Sequence, residues 1–275
     1  MKSFWVLAVS LVLLLPIESV FGQNFNQIGF DIQGKGFISG SGWDVSNSAD
    51  GNVVAVGAPG NPGSYPGYVE VYEWNGLGWT RRGNRILGNL GNLDNFGYSI
   101  SLAADGNAIV VGARSGDYVE VYDWDGINWT LRGNRISGDT NSNFGLSVQL
   151  TSNGQTFIGA SSSYVEIYDW DGSNWHLRGG RIFGSIYKVA SSGSGNIVAI
   201  CPSSGGFVDV YEWVGSSWIQ RGNPISGSST NVSSLDLSAS DGNVIAIGTY
   251  NFPPTPGGDY VRIMEWDGTD WERKG

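Results

Sequence analysis

An all-β chain of five tandem four-stranded sheets is what the sequence predicts, and three observations predict it. The pattern acidic–Trp–x–Gly recurs at Trp74, Trp124, Trp170, Trp213 and Trp266, each followed five residues later by a second tryptophan: Trp79, Trp129, Trp175, Trp218 and Trp271. The first tryptophans lie 50, 46, 43 and 53 residues apart, a period that marks propeller blades or arrays. No stretch sustains a helical period, and each interval holds strand-like runs separated by Asp-Gly or Asn-Gly turns.

The elements follow in chain order. Residues 1–22 form a signal peptide: Lys2 gives the positive start, Phe4 to Leu15 the apolar run, and Pro16, Val20 and Gly22 precede a cut ahead of Gln23. That apolar run is short for a bilayer span, so a secreted mature chain with no membrane insertion after cleavage is expected. Residues 25–34 align without gaps on 79–88, which makes them an orphan fourth strand. The repeats then run 35–88, 89–138, 139–184, 185–227 and 228–275, forming with 25–34 a single domain over 23–275.

Within the second repeat, residues 96–104 alternate, 108–113 are apolar throughout, 118–124 alternate again, and 129–137 form a fourth strand. One such sheet cannot bury both faces alone, so neighbours must stack. Closing the stack into a five-bladed β-propeller leaves only short protected edges. The last repeat stops at Gly275, so residues 25–34 are expected to complete the final blade.

Composition narrows the partners. The net charge is −10, with no Lys/Arg cluster to meet a phosphate backbone, so neither nucleic acid nor an anionic membrane suits the chain. A single cysteine, Cys201, means that no internal disulfide holds the fold. Asn128 and Asn231 head two glycosylation sequons.

Phe96-Gly97 and Phe144-Gly145 open repeats, and Gly57-Ala58-Pro59 follows a strand, so the chain resembles the secreted propeller variety of the FG-GAP repeat family over almost its whole mature length. The resemblance implies a propeller and an extracellular binding or adhesion platform. Relatives of that family often carry an Asp-x-Asp-x-Asp-Gly calcium loop. Here the matching turns, such as Ser48-Ala49-Asp50-Gly51 and Ala103-Ala104-Asp105-Gly106, offer one carboxylate at most, too few for the six to eight oxygens of Ca²⁺. No metal and no cofactor are expected.

Catalytic chemistry is poorly supplied. His176, the only histidine, lies on a strand one residue past a tryptophan, and nothing in the local sequence suggests a catalytic triad or a metal-ligand set. Cys201 aligns with Gly57, Gly112, Gly159 and Gly248, which makes it a buried filler. The mid-strand acids Glu70, Glu120, Glu166 and Asp209 and the acids before the tryptophans, Glu73, Asp123, Asp169, Glu212 and Glu265, recur with the repeat, so a structural pairing with Arg82, Arg132, Arg178 and Arg221 is expected. The tryptophan pairs read likewise as packing.

Residues that do not repeat are better binding candidates, because loops on a rigid scaffold carry recognition. Loops 58–68 and 249–260 share one face with the inter-blade links 89–95 and 228–233. Tyr65, Asp94, Asp117, Tyr250, Phe252 and Asp259 are the loop candidates, and Asp44 and Lys188 are placed to line the central channel. The sequence therefore points to a non-enzymatic extracellular binding or adhesion module whose partner is a protein or a glycan. A lectin with repeated aromatic sugar sites is the alternative. A hydrolase or lyase is a third reading, opposed by the lack of a His/Asp cluster.

Overall fold

Strands whose side chains are apolar on both faces need a cover on both faces, and the second strand of each repeat shows how it is supplied. In Ala108–Ala113, Ile109, Val111 and Ala113 pack with the sheet before and Ala108 and Val110 with the sheet after, all within 4% of full burial. The computed structural model describes residues 27–34, 39–60, 66–88, 94–202, 207–226, 231–250 and 260–275. The predicted signal segment 1–22 lies outside them.

The fold is a five-bladed β-propeller of antiparallel sheets. From the innermost strand outward, blade 1 comprises Asp44–Asn47, Val53–Ala58, Tyr68–Trp74 and Trp79–Arg81. Blade 2 comprises Phe96–Leu102, Ala108–Ala113, Tyr118–Trp124 and Trp129–Leu131, and blade 3 Ser147–Leu150, Thr156–Ala160, Tyr164–Trp170 and Trp175–Leu177. Blade 4 comprises Lys188–Ser191, Ile197–Cys201, Phe207–Trp213 and Trp218–Gln220, and blade 5 Asn231–Leu237, Val244–Tyr250, Tyr260–Trp266 and Trp271–Arg273. In blades 1 to 4 the outer strand resumes after a break, as Ile86–Leu87, Ile136–Ser137, Ile182–Phe183 and Ile225–Ser226, each pairing again with the third strand. The continuous fourth strand expected over 129–137 is thus two pieces.

The tryptophan signature is a cross-strand pair. Trp74 faces Trp79, Trp124 faces Trp129, and so on through Trp266 and Trp271, with ring centroids 5.1–5.5 Å apart. Between them the turn is closed by its first side chain: Asp125 Oδ1 accepts from the N–H groups of Ile127 and Asn128, and Gly126 takes φ +99°. The second tryptophan also clasps the blade before it. The Nε1–H groups of Trp129, Trp175, Trp218 and Trp271 donate to the carbonyls of Arg82, Arg132, Arg178 and Arg221 at 3.0–3.1 Å. Arg82 and Arg221 in turn lay their guanidinium groups over the next blade's tryptophans at 4.6–5.9 Å.

Two further sets of bonds join the blades nearer the axis. Backbone N–H groups of Ala49, Ala104, Ser152 and Gly193 each reach a carbonyl of the following blade at 2.9 Å. On the innermost strands, oxygens of Asp44, Ser46, Ser99, Ser101 and Ser147 accept from N–H groups of the next innermost strand. Those N–H groups have no strand on the axial side, so the small polar side chains satisfy donors that would otherwise be orphaned.

One detail of the expected closure is corrected. Residues 27–34 hold no strand, and blade 5 takes its fourth strand from Trp271–Arg273. Residues 25 and 26 lie outside the described residues. Ile28 instead accepts from Trp79 Nε1 at 3.1 Å, the bond that Arg82 accepts from Trp129 one blade later. The N-terminal segment therefore lies beside blade 1 where the outer strand of a preceding blade would be.

Innermost strands pack in sequence from blade 1 to blade 5, and among the described residues no comparable packing joins blade 5 to blade 1. The face of blade 5 that would meet a following blade accordingly stays open. Val69, Val119, Val165 and Val208 are buried, whereas their counterpart Val261 is 70% exposed.

Candidate functional site

The innermost strands begin on the rim that carries the loops between second and third strands, as the pairing of Asp44 with Gly57 shows. The residue before each of the first four strand positions is Trp43, Tyr98, Leu146 or Tyr187, so the rim around the axis is largely aromatic. Trp43 is 59% exposed and its ring lies 5.3 Å from that of Tyr98. Arg114, in the single described 3-10 turn, donates to the Tyr98 hydroxyl at 3.1 Å and stands 5.0 Å from the ring centre. Tyr187 is also exposed.

Asp44 and Lys188, the two channel candidates, lie one residue inside this rim and are coupled by charge. Burial pushes the Asp44 carboxyl above its usual range. The Lys188 charge and hydrogen bonds, including the 2.8 Å bond from Ile100 N, oppose that rise. The carboxylate thus joins blade 1 to blade 2 as well as facing the axis. A flat or elongated ligand with apolar and polar faces could rest on these rings while the Asp/Lys pair supplies one acceptor and one donor.

Two of the loop candidates have structural roles. Asp94 is buried, accepting from the Tyr118 hydroxyl at 2.5 Å and from Phe96 N at 3.2 Å. Asp117 sits at φ 55° and accepts from Asn141 N and Asn143 N, both at 2.6 Å, which ties the blade 2 loop to the entry of blade 3. Tyr65, Phe252 and Asp259 lie outside the described residues. The backbones of Tyr250 and Asn231 pair with one another in blade 5, and Asn128 sits in a turn on the opposite rim.

The remaining titratable candidates also have local roles. His176 contacts Asp171 at 2.7 Å on the surface. At the first hairpin, Asp50 accepts from Ser48 Oγ and from Asn52, holding its carboxyl down to about 2. Its oxygens close the turn, and the donor set does not fit a cation. Cys201 is fully buried and burial pushes its thiol up to about 12. Native protein is therefore expected to resist iodoacetamide at pH 8 and to react only after unfolding; stoichiometric labelling of folded protein would contradict that burial.

Most of the periodic acids have arginine partners, though not all the expected ones: among the described residues Asp209 has no ion pair, and Arg221 stands 3.7 Å from Glu212. Arg132 and Arg178 pair with Asp123 and Asp169, the acids just before the tryptophans. The mid-strand acids Glu70, Glu120 and Glu166 pair instead with Arg85, Arg135 and Arg181 at 2.7–2.8 Å. Two cavities of about 330 Å³ each lie at blade junctions on the outer side, one lined by Phe30, Tyr72 and Trp79, the other by Phe183, Tyr211 and Trp218.

Sequence reasoning missed Trp43, Tyr98 and Tyr187. Their signal was an aromatic residue immediately before a channel position in three repeats.

No protein-family model and no curated protein matches the chain. Among solved structures it is similar to hydrazine synthase of Kuenenia stuttgartiensis, with a TM-score of 0.61 and 16% identity over 88% of this chain and 69% of that chain. It is also similar to a 6-phosphogluconolactonase-like protein of Bacteroides uniformis, with a TM-score of 0.60 and 12% identity over 85% and 71%. At such identities the likeness is one of fold alone, a multi-bladed β-propeller.

Proposed function

We propose that this protein is a non-enzymatic extracellular binding or adhesion module of the FG-GAP kind, which meets a protein or glycan through the loop-side rim around the axis. The observation that carries the reading is the exposed Trp43 ring, which packs against the half-buried Tyr98 beside Asp44 and Lys188. Large exposed aromatics on a rigid scaffold are common anchors of binding surfaces. The mid-strand acids Glu70, Glu120 and Glu166 are engaged by arginines, whereas the rim aromatics do not recur in every repeat.

The test is a screen of the secreted protein against immobilised glycans and extracellular matrix proteins, repeated with Trp43→Ala and Lys188→Ala. Binding is expected to weaken about tenfold or more in Trp43→Ala, the scale of a lost aromatic anchor, with Tm unchanged. Full binding by both variants would refute the rim. A hydrolytic or lyase activity abolished by one carboxylate substitution would refute the non-enzymatic assignment. N-terminal sequencing of the secreted chain is expected to begin at Gln23.

A second reading, the repeated-site lectin, is favoured by the two equivalent cavities at Trp79 and Trp218. It differs in stoichiometry: more than one sugar per chain, where the rim takes one ligand.

A further inference from the structure

Blades 1, 2 and 3 each contain the same arginine receptacle, already filled from within the blade. Its floor is a tyrosine ring: Arg85, Arg135 and Arg181 stand 3.9, 3.7 and 4.0 Å above the ring centres of Tyr68, Tyr118 and Tyr164. Its wall is a buried carboxylate two residues along the same strand face, Glu70, Glu120 or Glu166, which accepts from the guanidinium Nε–H at 2.7–3.2 Å. The other carboxylate oxygen accepts from the hydroxyl of Tyr72, Tyr122 or Tyr168. With the arginine in place, the floor tyrosines are only 2–5% exposed.

Blade 4 keeps the receptacle and lacks its occupant. Phe207, Asp209 and Tyr211 stand at the floor, wall and hydroxyl positions, but Pro224 replaces the arginine. Phe207 is consequently 51% exposed, and Asp209 has no ion pair among the described residues, accepting only from Gln220 Nε2 at 3.2 Å. Tyr211 also lines the cavity that continues past Phe183 and Trp218.

We propose that blade 4 binds an arginine side chain of a partner protein, its guanidinium resting on Phe207 and pairing with Asp209 as Arg85, Arg135 and Arg181 do in cis. Three filled copies of the site define the ligand's chemistry, and guanidinium is the cation suited to stacking and carboxylate pairing together. A chain of net charge −10 favours the approach of a basic segment. This surface lies on the third and outer strands of blade 4 and uses none of Trp43, Tyr98, Asp44 and Lys188, so it does not depend on the proposed function.

The probe is the blocked peptide acetyl-Gly-Arg-Gly-amide, titrated into isotope-labelled mature protein and followed by NMR. Saturable shifts are expected at Phe207, Asp209 and Tyr211. Replacing arginine by citrulline, which has the same shape without the charge, is expected to weaken binding about tenfold, as is Asp209→Asn; each corresponds to one decade in Kd. Pro224→Arg supplies the missing arginine in cis, so it is expected to keep the fold, bury Phe207 and abolish peptide binding while leaving every receptacle residue in place. The proposal is overturned if no saturable shift is seen, if citrulline or lysine peptides bind as tightly, or if Pro224→Arg binds as well as the parent.

Discussion

Replacement of Gly112 by alanine is expected to lower Tm by roughly 6–12 °C, the shift for about 3 kcal/mol in a domain of this size. A Cβ on Gly112 would stand 2.2 Å from the carbonyl oxygen of Gly145 and 2.9 Å from its carbonyl carbon, both backbone atoms of the next blade. No rotamer can relieve such a contact, so blade 3 must shift at its innermost strand. The same approach joins Gly57 to Gly97, where the gap would be 2.3 Å. The contact occurs where the following blade opens with Phe-Gly, and it gives a physical reason for that motif: the two glycines let successive blades meet backbone to backbone. Cys201 supports this account. It occupies the same position in blade 4, where the next blade opens with Val232-Ser233, and it packs with Val232 in one apolar cluster. The matched control is Gly126→Ala. That glycine has a left-handed φ of +99° but no neighbour within 4 Å, so its loss is expected to cost only about 1–2 kcal/mol. Thermal unfolding of the two variants separates inter-blade contact from local strain; equal losses would show that contact with Gly145 is not what restrains Gly112.

Much of this architecture is legible in the sequence because its signals are local. A tryptophan on each side of a four-residue turn can form only a hairpin, and five such turns at blade spacing imply five sheets. The arginine partners are less legible. Arg82 and Arg85 lie three residues apart on what reads as one strand, and only the left-handed turn at Gly83, φ +75°, sends Arg85 back to Glu70 while Arg82 reaches Gly106 and Asn107 of the next blade. Alignment gives residues 25–34 a fourth-strand position, yet it says nothing about which neighbouring sheet they lie against. The Ile28–Trp79 bond joins that segment to blade 1 and leaves no mark in the order of residues. Loop candidate Asp117 does not repeat because it links one particular pair of blades, whereas Asp94 closes a turn within blade 2 against Phe96 and Tyr118. The rim aromatics are weakly marked for a related reason: an aromatic before the channel position recurs in only three repeats and with changing identity, and only the common start of the innermost strands places Trp43, Tyr98 and Tyr187 around one axis.

Two substitutions that remove one carboxylate charge each, at equivalent positions, are expected to act in opposite directions. Glu166→Gln is expected to destabilise the protein by about 1–3 kcal/mol, because the buried amide no longer carries the charge that pairs with Arg181, which keeps only its exposed partner Asp139. The bonds at stake run from Arg181 Nε to Glu166 at 2.7 Å and from the Tyr168 hydroxyl to Glu166 at 3.1 Å. Asp209→Asn removes a charge that no arginine compensates, so it is expected to be neutral or stabilising. Burial raises the Asp209 carboxyl above the usual aspartate value of 3.8. A raised carboxyl binds its proton more tightly in the folded state than in the unfolded one. It therefore favours folding in acid, and that contribution is lost as the pH rises through the raised value. The two proteins should accordingly be closest in stability below pH 3.8, with Asp209→Asn gaining on the parent toward neutral pH. Denaturant unfolding of parent and variants at acidic and neutral pH reads both effects. If Asp209→Asn lost as much stability as Glu166→Gln, Asp209 would have to be compensated as fully as its counterparts, and the blade 4 receptacle would not be vacant.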